Sequence, residues 1–300
     1  MKPFGKRVAM TVLCVATLTS PLFLSGCSMS ELWQGTEQSR KEIAQRSEQD
    51  QLQLFNQYVK AISRFNRMAV MFDYANTPTL NELKAGQHLT VFNAPDFKQL
   101  QKALEEAKQS GVPYDEMKEP LDKLLSKLNE ITPVAEELDA YYKSKGYTTD
   151  NYAKEQQLGP KYVQLYEQFV PIYADFDNVM HKINTDRLQQ RLQQLRDAGK
   201  KNAAAAQEVS LRLTAVLEKI DSEKQLDVNA INQELQNIGE LANGISSSKY
   251  DSVKSSVNST IGAIRTYMGS KQDNDYNRMI EAYNRFISNM NTTNMNELDQ

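Results

Sequence analysis

The chain has 300 residues, 40% of them hydrophobic, with 35 basic against 38 acidic side chains and a formal charge of −3. That balance excludes the clustered Lys and Arg that nucleic acid calls for, so no nucleic-acid partner is expected. Twelve Gly and nine Pro are few for this length and β-branched runs are scarce, which is the composition of helices joined by short connections.

In chain order, Lys2, Lys6 and Arg7 form a positive opening, and Val8 to Leu24 is largely apolar with Pro21 near its end. A basic opening, a short apolar run and small residues at the cut make a secretory signal. The run is short for a membrane span, which takes about 20 mostly apolar residues. Leu24-Ser25-Gly26-Cys27 resembles the bacterial lipoprotein lipobox. The resemblance implies a diacylglycerol on the Cys27 thiol, the best nucleophile in the chain for accepting it, and cleavage just before that residue. Ser28 replaces the aspartate of inner-membrane retention. By the same resemblance the expected location is the outer membrane, facing the periplasm, or the plasma membrane of a Gram-positive host. Loss of Lys2, Lys6 and Arg7 with the signal leaves 32 basic residues against 38 acidic ones. Cys14 goes with the signal and Cys27 carries lipid, so stability must come from packing without disulfides.

Residues 27–39 read as a lipidated tether, where Trp33 either rests at the headgroup level or is simply exposed. A helical body is expected over 40–290. Its first helix, roughly 40–75, shows Leu52, Phe55, Val59, Ile62, Phe65, Ala69 and Phe72 as one apolar stripe, and Asn76-Thr77-Pro78 is expected to end it. Residues 77–93 are expected to be irregular apart from one turn at 80–85. Asn93-Ala94-Pro95-Asp96 starts a second helix that runs to about 109, with Phe97, Leu100, Leu104 and Ala107 inward. A third runs from Pro113 to Lys145-Gly146, bent at Pro120 and Pro133. Tyr147 to Asp150 forms a turn, and a fourth helix begins near 151, carries Pro171, and follows a stripe from Leu158 to Leu195. Unbroken through Gly199 it would span roughly 100 Å, so a break or bend is expected there. Asp227 caps a helix at 228–243, and two more follow at 249–268 and 273–290. Residues 291–300 are expected to be a flexible tail. The predicted fold is all-α, an elongated antiparallel bundle with long kinked helices.

Catalytic chemistry lacks parts. His88 and His181, the only histidines, have Ala85 and Asn178 three residues before them and Val91 and Asn184 three residues after. Di-iron and His-x-x-Glu patterns therefore fail, and zinc lacks ligands. No Gly-x-Ser-x-Gly or glycine-rich phosphate loop occurs. Glu105-Glu106 and Glu136-Glu137 read as solvated helix faces. No cofactor, no metal and no enzymatic activity are expected. Tyr141, Tyr142, Tyr147, Tyr152, Tyr162, Tyr166 and Tyr173 gather seven of the 14 tyrosines in one helix-turn-helix. They form either a binding face or a helix–helix seam with hydroxyls at its rim. Phe65-Asn66-Arg67 recurs as Tyr276-Asn277-Arg278 and Tyr283-Asn284-Arg285, which suggests that the first and last helices pack together with Asn66 and Asn284 in register.

With the lipobox, the segments Glu137-Leu138-Asp139-Ala140-Tyr141-Tyr142, Asn151-Tyr152-Ala153-Lys154, Phe169-Val170-Pro171 through Leu188, and the Tyr276-Asn277 and Tyr283-Asn284 pair resemble the YiiG-like lipoproteins. Some of those carry a long low-complexity linker after the cysteine, whereas the tether here is short. The resemblance implies an all-helical periplasmic domain and supplies no activity. The expected function is a membrane-anchored, non-enzymatic binding module for a protein or envelope component, with a structural spacer as the alternative.

Overall fold

The structure, a computed structural model, describes the backbone of residues 37–222 and 225–300, with side chains over 48–66, 77–222 and 225–300. The lipobox, Cys27 and Trp33 lie outside the described residues, as do the side chains of Ala69 and Phe72. The fold is an all-α helical bundle, with no strand among the described residues. Among the described residues its helices are α1 (Glu37–Lys84), α2 (Phe97–Ser110), α3 (Lys118–Lys143), α4 (Tyr147–Asp150), α5 (Ala153–Asp197), α6 (Lys201–Ser222), α7 (Val228–Asn243), α8 (Asp251–Ser270) and α9 (Asp273–Thr292). Short 3-10 turns sit at Asp115–Met117, Ser248–Tyr250 and Met295–Glu297. The described chain divides into two compact units, 37–65 with 80–176 and 66–79 with 177–300. Helices α1 and α5 each contribute to both.

Apolar periodicity accounts for the cores. In the first unit the α1 stripe residues Leu52, Phe55, Val59, Ile62 and Phe65 are buried, as are Phe97, Leu100, Leu104 and Ala107 of α2. Leu121, Leu124, Leu128, Ile131 and Leu138 of α3 complete that layer. Rings of Phe65, Phe97 and Phe169 meet edge-on or tilted at 5.1 to 6.4 Å, a favoured arrangement for aromatic quadrupoles. In the second unit Leu188, Leu192 and Leu195 join Leu213, Leu217, Leu235, Ile238, Val257, Ile264, Tyr283 and Phe286 in one cluster. Asp96 and Asp227 cap α2 and α7 by accepting hydrogen bonds from the Gln99 and Ala230 amides at 3.0 Å.

Several boundaries differ from the pattern. Helix α1 does not stop at Asn76-Thr77-Pro78; it continues to Lys84 with Pro78 inside. Buried Thr79 and Leu83 anchor the extra turns, so packing outweighs the lost backbone bond. Pro120 falls in the first turn of α3, where its N–H would have no intrahelical partner, and so gives no cause for a bend. Gly269 lies inside α8, which ends at left-handed Lys271. The expected break after α5 is present. Gly199 has φ +69, its N–H reaches the Arg196 carbonyl, and Lys200 N–H reaches that of Leu195, a closure that ends the helix. The last residues are not a free tail: Leu298 is buried, and Asp299 accepts hydrogen bonds from the Asn202 and Ala203 amides at the start of α6, at 2.7 and 3.0 Å. Helix α9 packs on α8, and Asn66 donates to Asp177 Oδ1 at 3.4 Å.

Candidate functional site

Helix α3 ends beside a tight turn that reverses the chain into α5. Lys145, with φ +54, takes the left-handed position that closes α3, with its N–H on the Tyr142 carbonyl. Gly146 N–H then reaches the Tyr141 carbonyl. Glycine at 146 serves space: a Cβ there would lie 2.6 Å from the Tyr141 ring. After α4 the chain passes through two successive left-handed residues, Asn151 at φ +49 and Tyr152 at φ +64. Asparagine tolerates this conformation; a tyrosine costs about 1–2 kcal/mol there.

The first turn of α5 then delivers Glu155, which is only 4% exposed. An isolated buried carboxylate is costly unless donors surround it. Glu155 has three, from two other segments. Tyr142 O–H and the Leu89 amide, the latter at 2.8 Å, donate to Oε2. His88 Nδ1 lies 2.6 Å from Oε1. Facing a carboxylate, that nitrogen carries the proton, which leaves Nε2 for another partner. The clasp thereby ties the 85–96 connection to the end of α3 and the start of α5, with Phe92 stacked on Tyr142 and edge-on to Tyr162.

Above the clasp, three rings lie nearly parallel. His88 stacks on Tyr152 at 3.9 Å and 14°, and Tyr152 on Tyr147 at 5.3 Å and 13°. Tyr147 and Tyr152 are half-buried, and the His88 side chain is 46% exposed. Tyr141 donates to Asp150 Oδ1 at 2.6 Å, and Asp150 also accepts from the Lys154 amide at 3.1 Å. Burial first, then donation to Glu155, pushes the Tyr142 phenol well up; burial and Asp150 do the same to Tyr141. The Tyr141 hydroxyl holds the Asp150 carboxyl below its ordinary value.

Of the seven tyrosines of the sequence pattern, Tyr141, Tyr142, Tyr162, Tyr166 and Tyr173 are buried and form the seam between helices. Only Tyr147 and Tyr152 share the surface stack. His88 and Glu155 belong to the site although the sequence pattern singled out neither as part of it. A signal for Glu155 does exist: it sits on the stripe 155, 158, 162, 165, 169, where a charge is out of place. His88 carries no such signal, since its partner Glu155 is 67 residues away in sequence. The acidic pairs sit on exposed faces, Glu136 and Glu137 bridged to Lys98 and Lys154.

His181 lies elsewhere, on α5 in the second unit. Its Nε2 is 2.7 Å from Glu218 Oε1 of α6 and 3.3 Å from Thr185 Oγ1. The Glu218 carboxylate raises its pKa from the ordinary 6.5, against a smaller opposing effect of burial. Among the described residues no group of three or more His, Cys, Asp or Glu is placed to hold a metal ion, and no helix is long and apolar enough to cross a membrane.

These features define an all-α protein with a buried carboxylate clasp under a half-exposed aromatic stack. Residues 52–291 match the family described as "Protein of unknown function (DUF3829)", and the chain belongs to that family. No curated protein and no solved structure matches it.

Proposed function

We propose that the protein is a lipid-anchored component of the bacterial envelope, of the YiiG-like kind, whose helical body is a non-enzymatic binding module for a protein or envelope component. Anchoring rests on the sequence alone: a basic opening, an apolar run and Leu24-Ser25-Gly26-Cys27. The observation that carries the binding half is the His88–Tyr152–Tyr147 stack, three rings held in a fixed half-exposed array by a buried carboxylate and a left-handed Tyr152. Strain maintained at a bulky residue supports a functional reading, since strained backbone clusters at binding and catalytic sites.

Two experiments test the two halves. Fractionation of the parent and Cys27→Ala, with mass spectrometry of the amino terminus, should find acylated parent protein in the outer membrane and a released variant. An unacylated parent, or an alanine variant still on the membrane, rejects the anchor. Crosslinking in intact envelopes should enrich one partner through residues 141–173, and loss of that enrichment in Tyr152→Asn is expected. A second reading, a spacer, draws on the long helices, α1 with 48 residues and α5 with 45. A spacer predicts no enrichment.

A further inference from the structure

Helices α2 and α7 begin with caps of their own, Asp96 and Asp227. Helix α6, in the second unit, does not. The residue before it is Lys200, whose side chain has donors and no acceptor. Its cap is borrowed from far along the chain. Asp299 Oδ1 accepts from the Asn202 amide at 2.7 Å and Oδ2 from the Ala203 amide at 3.0 Å, across 97 and 96 positions.

The carboxylate arrives on a short segment. After α9 the backbone is extended at Thr293, with φ −82 and ψ 126, and then enters the 3-10 turn Met295–Glu297, which packs on α6. Glu297 pairs with Lys249 at 2.5 Å, and this contact holds its carboxyl below the ordinary value. The Leu298 side chain joins the apolar cluster of the unit, and its carbonyl accepts from Asn202 Nδ2 at 2.8 Å. Leu298 is the one buried side chain of residues 293–300; Asn294, Asp299 and Gln300 are exposed.

A segment held by one buried side chain and by polar contacts at the surface opens without the helices beneath it. A cap from the adjoining residue cannot be exchanged, whereas a borrowed carboxylate can give way to another of the same geometry. Opening uncovers an ammonium, an apolar seat, a side-chain amide that reads a backbone carbonyl, and two amides at a helix start. Lys200 and Lys201 precede those amides and add positive charge there. The order matches acid, aliphatic, acid along an extended chain. A small anion would leave the apolar seat empty, and a lipid surface has no carbonyl set between two carboxylates. We propose that this seat on α6 is a docking site for an extended acidic–aliphatic–acidic segment of a partner protein, and that Glu297-Leu298-Asp299 fills it as an internal stand-in that the partner displaces. The site belongs to the second unit and goes beyond the reading of the aromatic stack in the first.

Hydrogen exchange of the parent chain is the first measurement. The Asn202 and Ala203 amides should open about tenfold or more often than the Leu213 amide inside α6, and should lose protection in Asp299→Ala. The second is titration of the chain carrying Leu298→Ala and Asp299→Ala, with its fold checked by circular dichroism. One probe is the peptide of residues 294–300. The other keeps only Glu297, Leu298 and Asp299 in a glycine background. Both should bind saturably, shift the amides at 202 and 203, and weaken with added salt. The parent should bind each at least about tenfold more weakly, because its seat is filled. Leu298→Ala or Asp299→Ala in the peptide should each weaken binding about fivefold or more. If the double variant unfolds, the chain with Asp299→Ala alone takes its place.

Local opening together with binding of both peptides supports the proposal. Amides at 202 and 203 that open only with global unfolding overturn it, as does absence of saturable binding or binding indifferent to Asp299. Binding of the 294–300 peptide without the glycine-background one makes the seat specific to its own segment and also overturns it. So does a parent dimer by light scattering that Asp299→Ala splits, since the occupant is then a second copy.

Discussion

Replacing Glu155 by alanine should open the clasp, and the structure sets the size of the effect. The change leaves the buried Leu89 N–H and Tyr142 O–H without their acceptor and His88 Nδ1 without its partner. An orphaned buried donor costs about 1–3 kcal/mol, so two of them with the removed side chain place Glu155→Ala at about 3–5 kcal/mol. Glu155→Gln keeps one oxygen for Leu89 and Tyr142 and turns an amide toward His88, which can change tautomer to accept it. Its cost should be about 1–2 kcal/mol, the difference between charged and neutral hydrogen bonds. The loss should also be local. Native-state hydrogen exchange should show protection falling first over 86–96 and 142–155, before 228–292, because those helices belong to the other compact unit. A cycle with Tyr142→Phe should be non-additive by about 1–2 kcal/mol, since the phenylalanine removes one of the donors that alanine would orphan. Glu155→Ala within about 1 kcal/mol of the parent, or strict additivity with Tyr142→Phe, would refute the reasoning that this carboxylate holds the connection.

Other expectations can be checked by simpler means. His181 has a folded pKa raised by Glu218, so its contribution is fully present below the unfolded value of 6.5 and is lost as pH rises through the folded value. The urea midpoint of the parent should therefore fall as pH rises above 6.5, relative to Glu218→Gln, in which that slope should flatten. Gly146→Ala places a methyl 2.6 Å from the Tyr141 ring and should destabilise by about 1–3 kcal/mol in thermal unfolding. Lys145→Gly, one residue earlier, relieves a left-handed side chain and should stabilise by up to about 1 kcal/mol. Asp299→Ala strips two amide bonds from the start of α6 and should cost about 0.5–2 kcal/mol, whereas a loose tail would cost nothing.

Helices and their inward faces were legible because both are local properties. The stripe from Leu52 to Phe65, the one from Leu158 to Leu195, the caps at Asp96 and Asp227 and the break at Gly199 follow from residues within a few turns of one another. The tyrosine cluster was legible as a cluster but not in its division between seam and surface. That division depends on which distant ring meets each tyrosine: Phe92 for Tyr142 and Tyr162, Phe97 for Tyr166, Phe65 for Tyr173, and His88 for Tyr152.

The sequence by itself determined an all-α protein of long amphipathic helices, and it carries Leu24-Ser25-Gly26-Cys27, the lipobox-like segment on which the proposed anchoring rests. Tertiary structure alone decided three things. Helix α1 passes through Pro78 because Thr79 and Leu83 are buried beyond it. The chain end docks because Asp299 reaches amides 96 and 97 positions away. The clasp forms because Glu155, a charge on an apolar stripe, meets a histidine 67 residues distant. Periodicity records how a side chain faces its own helix. It holds no information about which distant donor will satisfy a buried carboxylate, and that pairing is settled only when the helices pack.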